Sequence, residues 1–405
     1  MAESLTLHFP DFVRVAGETL QGHVDVNIPM AMNDKIENVR VKVRGYIVTK
    51  YTEREHETGP EGPRNETHRK TLSVEVVRLD QTIWDHFNAQ DGGPEVIQCP
   101  FQMPLPSTLP PSFHHSTLSH SVTISYSLEV VGSRHGMFHA NRRVRRIFSV
   151  VPPADAGELN ATASLKQGWA GQWRPIATTK LIRHGVFGDH SEAKIELVLP
   201  DLPSLPMGTG IPFGFHVWTK TKPVHQEDLD KHEKLFPAPP ASPAEVQLAV
   251  HRQGSMHVRH KNEPMDDKFD LAGSLGDKDA AGAVRMTVDQ PEFTPAPDHK
   301  DKGFWKRGVH FEGMLVIPHA PTFSVEAVEW HYLLRVKVDF PGIGNDLELE
   351  FPVHIHSGVA CPPLPQAGYQ MNVPYAYPLP SGPPPMMNLP PSYWNGEHHN
   401  WDEES

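Results

Sequence analysis

Apolar and polar residues alternate along most of this chain with the two-residue period of a sheet that buries one face. Leu5, Leu7 and Phe9 alternate with Thr6 and His8, and Val39, Val41 and Val43 with Arg40, Lys42 and Arg44. The rhythm returns in Ile124, Tyr126, Leu128 and Val130, and in Ile195, Leu197 and Leu199. Leu334, Val336, Val338 and Phe340 repeat it, and Leu347, Leu349, Phe351, Val353 and Ile355 make the longest run. No long segment repeats apolar residues three and four apart, as a core-facing helix requires. Many short strands separated by Gly and Pro turns predict an all-β chain of antiparallel sandwiches.

The predicted strands fall into two groups, and 405 residues exceed one ordinary core. The first sandwich spans residues 1–152 and closes with Ile147-Phe148-Ser149-Val150-Val151 before Pro152-Pro153. Residues 153–172, rich in Ala, Gly and Ser, read as a linker. The second sandwich spans 173–357, with a polar insertion at about 259–302 whose charges and scarce bulky side chains suit a surface loop. A smaller charged excursion lies at 52–70. The two halves share a faint motif. Ala16-Gly17-Glu18-Thr19-Leu20-Gln21-Gly22-His23-Val24 is similar to Met207-Gly208-Thr209-Gly210-Ile211-Pro212-Phe213-Gly214-Phe215. A tandem of similar sandwiches explains the likeness, and so does chance turn chemistry.

Composition narrows the function. Proline numbers 41, roughly double average usage. The net charge of −12 argues against nucleic acid as the main partner. The 26 histidines would turn it to +14 if all were protonated, so charge changes steeply with falling pH. Cys99 and Cys361 are the only cysteines, which fits a reduced compartment rather than a disulfide framework. The opening MAESLTLHFP lacks a basic region followed by an apolar run, so no secretory leader is expected. The uncharged stretch from Phe351 to Gly396 is broken throughout by proline and cannot span a bilayer.

The segment 358–405 carries eleven prolines and no lysine or arginine, and reads as an extended, disordered tail. It contains Leu389-Pro390-Pro391-Ser392-Tyr393, a PPxY motif. Paired prolines favour polyproline II and lower the ordering cost of binding. A WW domain offers an aromatic groove for the prolines and a second pocket for the tyrosine, whose ring is large and apolar with one polar tip. Leu389 adds a flanking apolar contact. Arg142, Arg143, Arg145 and Arg146 form the densest basic cluster. On a strand, Arg143 and Arg145 share one face while Arg142, Val144 and Arg146 share the other. Guanidinium groups suit phosphate or anionic lipid heads, and a solvated strand paired with nearby acids is the alternative. His354 and His356 share a strand face, but no third ligand stands at a fixed spacing, so no metal site and no cofactor are expected there. His114-His115 reads as loop. No nucleophile elbow, P-loop, zinc-protease motif or dinucleotide fingerprint occurs, so no enzyme is expected.

Fragments spread over both predicted sandwiches resemble one family. They are Val15 to Val24, Phe101-Gln102-Met103-Pro104-Leu105-Pro106 with Leu109-Pro110-Pro111-Ser112-Phe113, and Ile124-Ser125-Tyr126-Ser127-Leu128. In the second half they are Tyr332 to Val338 and Glu350-Phe351-Pro352-Val353-His354-Ile355. Over roughly residues 4–357 the chain resembles an alpha-arrestin of the fungal kind. The resemblance implies two tandem immunoglobulin-like β-sandwiches and a cytoplasmic adaptor, recruited peripherally to the plasma membrane and endosomes. It implies a HECT-type ubiquitin ligase with WW domains as partner of the PPxY tail. The cargo would be the cytosolic tails of membrane transporters or receptors, ubiquitinated and sent to endocytosis. A sorting or coat subunit, or a signalling scaffold such as one for ambient pH, acting without a ligase, is the competing reading.

Overall fold

The computed structural model describes residues 3–59, 62–88, 93–134, 140–183, 188, 190–227, 235–258, 261–266, 270–277, 281–297 and 301–363. The PPxY segment, with the rest of 364–405, lies outside the described residues. The all-β architecture expected from the alternation is present, as two antiparallel sandwiches in tandem.

In the first sandwich one sheet orders Leu5–His8, Thr19–Asn27 and Val96–Pro104. The facing sheet is built on a long hairpin of Ile36–Gly59 with Gly62–Asp85, and the charged stretch 52–70 is the far end of that hairpin. His120–Arg134 pairs with Ile36–Gly59 on one side. On its other side it pairs with Phe113–Ser116 and Arg142–Phe148. The second sandwich repeats the plan: His190–Pro200, Ile211–Lys220 and Lys302–Leu315 run together, facing a sheet centred on Val246–Val258 and Val328–Val338. Inward residues of the alternating runs are fully buried, among them Val39, Val41, Val43, Ile195, Leu197 and Val336. Among the described residues, no helix is long and apolar enough to cross a membrane.

The faint sequence repeat is a structural one. In each sandwich a two-residue segment before the turn glycine pairs in parallel with the closing strand: Arg14-Val15 with Val150-Val151, and Leu205-Pro206 with Ile355-His356. Gly17 and Gly208 follow, both with positive φ (91° and 64°), which only glycine adopts without strain. A hydroxyl then clasps the closing strand from the side. Val150 N donates to Ser112 Oγ at 2.9 Å, and Ser112 N returns a bond to Val150 O. Ile355 N donates to Thr322 Oγ1 at 2.9 Å, and Thr322 N returns one to Ile355 O. A buried tyrosine pins the segment before each clasp, Tyr126 through Pro110 O at 2.7 Å and Tyr332 through Ala320 O at 2.6 Å. Chance turn chemistry does not produce so many matched bonds.

Glycines in strand interiors make room for these large rings. Gly22, Gly45 and Gly254 stand directly opposite Phe101, Tyr126 and Trp330, each ring about 1% exposed. A Cβ on any of the three glycines would lie within 2.6 Å of a ring carbon. The ring lies over its glycine and supplies the packing that a missing side chain forgoes.

The sandwiches meet through the residues after each clasp. Phe113 and Phe323, equivalent in the two repeats, pack edge to face with centroids 5.1 Å apart, and Trp330 closes on Phe113 at 4.7 Å. Contact between equivalent positions is the pattern of a two-fold interface, here between halves of one chain. His114 and His115, read as loop, instead lie on the strand Phe113–Ser116; His115 is buried with its ring 5.0 Å from Trp330. The polar insertion is likewise more structured than a loop. Arg285–Val288 and Glu292–Pro295 add short pairings to Lys302–Leu315, because backbone groups at a sheet edge find partners even when side chains stay in water.

The segment read as a linker holds a helix, Ala156–Gln167. Its apolar residues form no wide stripe, which is why periodicity missed it. Asp155 and Glu158 complete a capping box, with Glu158 N donating to Asp155 Oδ1 and Asp155 N to Glu158 Oε2. We expect Ser112→Ala and Thr322→Ala each to strand a backbone N–H and to cost about 1–3 kcal/mol in urea unfolding. Equal stability of wild type and both variants would show that the clasps carry no load.

Candidate functional site

The basic strand Arg142–Phe148 pairs on one side with His120–Arg134 and splits its four arginines between two faces. Arg143 and Arg145 point the same way as Glu129, the direct cross-strand partner of Arg145. The register extends this face across three more strands. Lys42 stands opposite Glu129 and Asp80; Arg40 stands opposite Val131 and Thr82; Arg44 stands opposite Ser127 and Arg78. Arg40, Lys42, Arg44, Arg78, Arg143 and Arg145 therefore share a face that holds only two acids among these positions, Asp80 and Glu129. Asp80 is engaged by Arg40 through two hydrogen bonds of 2.9 and 2.7 Å. Burial pushes the Lys42 ammonium down, and Arg40 and Arg44 add repulsion that Asp80 and Glu129 partly offset.

The opposite face is different. Arg142 makes a forked contact with Asp34, Nε to Oδ2 at 3.0 Å and Nη2 to Oδ1 at 3.2 Å. Arg134 reaches the same carboxylate at 3.0 Å. The Arg142 hydrogen bonds hold the Asp34 carboxyl below its usual range. Arg146 is exposed. The four arginines thus do not make one patch: Arg143, which donates to Glu129 Oε1 at 3.4 Å, and Arg145 join the broad basic face, while Arg142 pairs with Asp34 on the other. Sequence reasoning missed Arg40, Lys42 and Arg44 as companions, because only the pairing of Ile36–Gly59 with His120–Arg134 sets them beside Arg143 and Arg145.

The root of the C-terminal segment is also built. Read from sequence as free from residue 358, the chain is still bonded to the body beyond that point: Ala154 N donates to Val359 O at 2.8 Å. Gly358 packs near Thr162 of the helix, and its N–H donates to His356 Nδ1 at 3.1 Å. Glu158 ties three elements together. It closes the capping box, accepts from Ser204 Oγ at 3.1 Å and faces His356 Nδ1 at 3.9 Å. Cys361 lies beside the turn at Gly17, next to the buried Arg14–Glu18 pair. His354, exposed, turns away from buried His356, because the strand breaks between Val353 and Ile355.

The first of the two clasped sandwiches has a counterpart in a known family. Residues 4–157 match the family described as arrestin (or S-antigen), N-terminal domain, and the match spans the first sandwich and the start of the connector helix. No curated protein matches the chain.

Burial lowers the pKa of His114, His120 and His356, with the charge of a neighbouring histidine adding to the effect in each. The fold favours their neutral forms, so the stability they contribute is present above the unfolded value of about 6.5 and is lost as pH falls through the lower folded values. The urea midpoint should fall between about pH 7 and 5. Replacing His114 and His120 with Gln should flatten that fall, whereas an unchanged slope would exclude these two side chains as its source.

Proposed function

We propose that this protein is an adaptor of the alpha-arrestin type, of the fungal kind. Its tail recruits a WW-domain HECT-type ubiquitin ligase, and its sandwiches engage the cytosolic tails of membrane transporters or receptors. The outcome is ubiquitination and endocytosis of that cargo, carried out from the cytoplasm with recruitment to the plasma membrane and endosomes. The observation that carries the reading is the PPxY motif, Leu389 to Tyr393, placed C-terminal to a double sandwich whose first domain matches arrestin. The last anchored residues near Val359 hold the base of the tail, and 26 positions separate Pro363 from Leu389. That length of chain reaches at most about 90 Å, enough for a ligase to sit on the motif without touching the sandwiches. The adaptor then acts by raising the ligase's effective concentration near cargo, not by chemistry of its own.

The broad basic face is the second part of the proposal. Arg40, Lys42, Arg44, Arg143 and Arg145 would meet phosphate-bearing or anionic surfaces, since guanidinium forks match phosphate oxygens. A charged strand at a sheet edge also discourages pairing with other chains.

Tyr393→Ala in the full chain should abolish capture by tandem WW domains while leaving the far-ultraviolet circular dichroism unchanged. Equal capture of the two proteins would refute ligase recruitment through this motif. For the basic face, joint replacement of Arg143 and Arg145 with Ser should weaken sedimentation with vesicles containing phosphatidylserine at least severalfold. Arg142→Ser, whose partner is Asp34, should not. Equal binding by all three proteins would remove the basic-face reading.

A further inference from the structure

Leu5–His8 pairs antiparallel with Thr19–Asn27, and this register sets His8 directly opposite His23 and Thr6 opposite Asp25. Alternation sends Leu7, Val24 and Val26 into the core. His8, His23 and Asp25 are therefore left together on the outer face, with His8 exposed and the other two half-buried. The two imidazoles stack with centroids 4.5 Å apart and planes inclined by 16°. His8 Nε2 lies 2.9 Å from Asp25 Oδ2, and His23 Nε2 lies 3.9 Å from Asp25 Oδ1. One ligand atom from each residue falls within 4.8 Å of the others. Two donors about 2.0–2.1 Å from a tetrahedral ion stand roughly 3.4 Å apart, so the separations found here bracket what a shared ion requires.

We propose that His8, His23 and Asp25 form a binding site for a divalent first-row transition metal ion, with Zn²⁺ as the reference ion and a fourth position open to water. Two imidazole nitrogens and one carboxylate oxygen are donors that zinc accepts, whereas Ca²⁺ and Mg²⁺ seek oxygen alone. The site is preorganised by backbone pairing. The histidines sit on adjacent strands whose inward neighbours are buried in the core, so the backbone positions that carry them are fixed before binding. Desolvation, and then the charge of His8, pushes the His23 ring toward its neutral form, with Asp25 opposing the shift. Neighbouring positions on the third strand of the sheet, Gln98 and Pro100, bring no cation to compete. Cys99 belongs to the opposite, buried face and is not a ligand.

Binding would replace the hydrogen bond between His8 and Asp25 with two metal bonds and would release any proton held there.

The test is titration of the chelator-treated full chain with Zn²⁺ by calorimetry, alongside the double substitution His8→Gln with His23→Gln and, separately, Asp25→Asn. The wild type should bind one equivalent more than the double variant, and Asp25→Asn should weaken that equivalent at least tenfold. Co²⁺ should give the wild type, and not the double variant, the visible absorption of a four-coordinate centre. These side chains stand on an outer face, so metal-free variants should keep the wild-type dichroism; if the double variant fails to fold, Asp25→Asn carries the test. A companion variant, His398→Ala with His399→Ala, controls for binding by the histidine pair near the C-terminus. Equal stoichiometry in wild type and double variant would overturn the site, as would loss of the equivalent in the companion variant alone.

Discussion

Each sandwich is closed by a backbone clasp, and the rest of the architecture depends on it. A short segment before the turn glycine runs parallel to the closing strand, while a serine or threonine hydroxyl takes the N–H that this parallel pairing leaves over. A two-residue parallel pair alone is a weak element, with few bonds for the residues it orders. The hydroxyl, the return bond from its own N–H and the tyrosine pinned behind it make the closure a connected network. Because the network joins the beginning of each sandwich to its end, the two sheets cannot slide apart without breaking it.

The same construction explains how the halves meet. The residue after each clasp is a phenylalanine, and the two phenylalanines touch. Placing the interface beside the most constrained segment of both domains gives it rigid walls, and Trp330 with His115 fills the remaining space. The connector helix and the root of the C-terminal segment join at the second clasp, where Glu158 links the helix start, Ser204 and His356. The chain beyond Val359 therefore leaves the body from a fixed point.

Charge is arranged by strand pairing in the same way. The alternation of valine with Arg40, Lys42 and Arg44 reads as ordinary amphipathic sheet. Beside Arg143 and Arg145 it becomes part of a cationic face. Arg142 stands one residue away along the chain yet on the other side of the sheet, spent on Asp34.

Local information determined the all-β class, the inward positions of the alternating strands, the two-part organisation and the repeat around Gly17 and Gly208, because a two-residue period and a turn glycine act over a few neighbouring residues. It also carried the PPxY motif, which needs no fold to be read. The helix Ala156–Gln167 was legible only in its capping box, since it lacks the wide apolar stripe that periodicity detects. His114 and His115 read as loop from the sequence because the burial of His115 comes from a tryptophan more than two hundred residues away. The clasps, the meeting of Phe113 with Phe323, the basic face and the grouping of His8, His23 and Asp25 were decided by tertiary structure alone. Each needs separate strands to be set in one register, and a register is chosen by the burial of whole faces, not by any short stretch of chain.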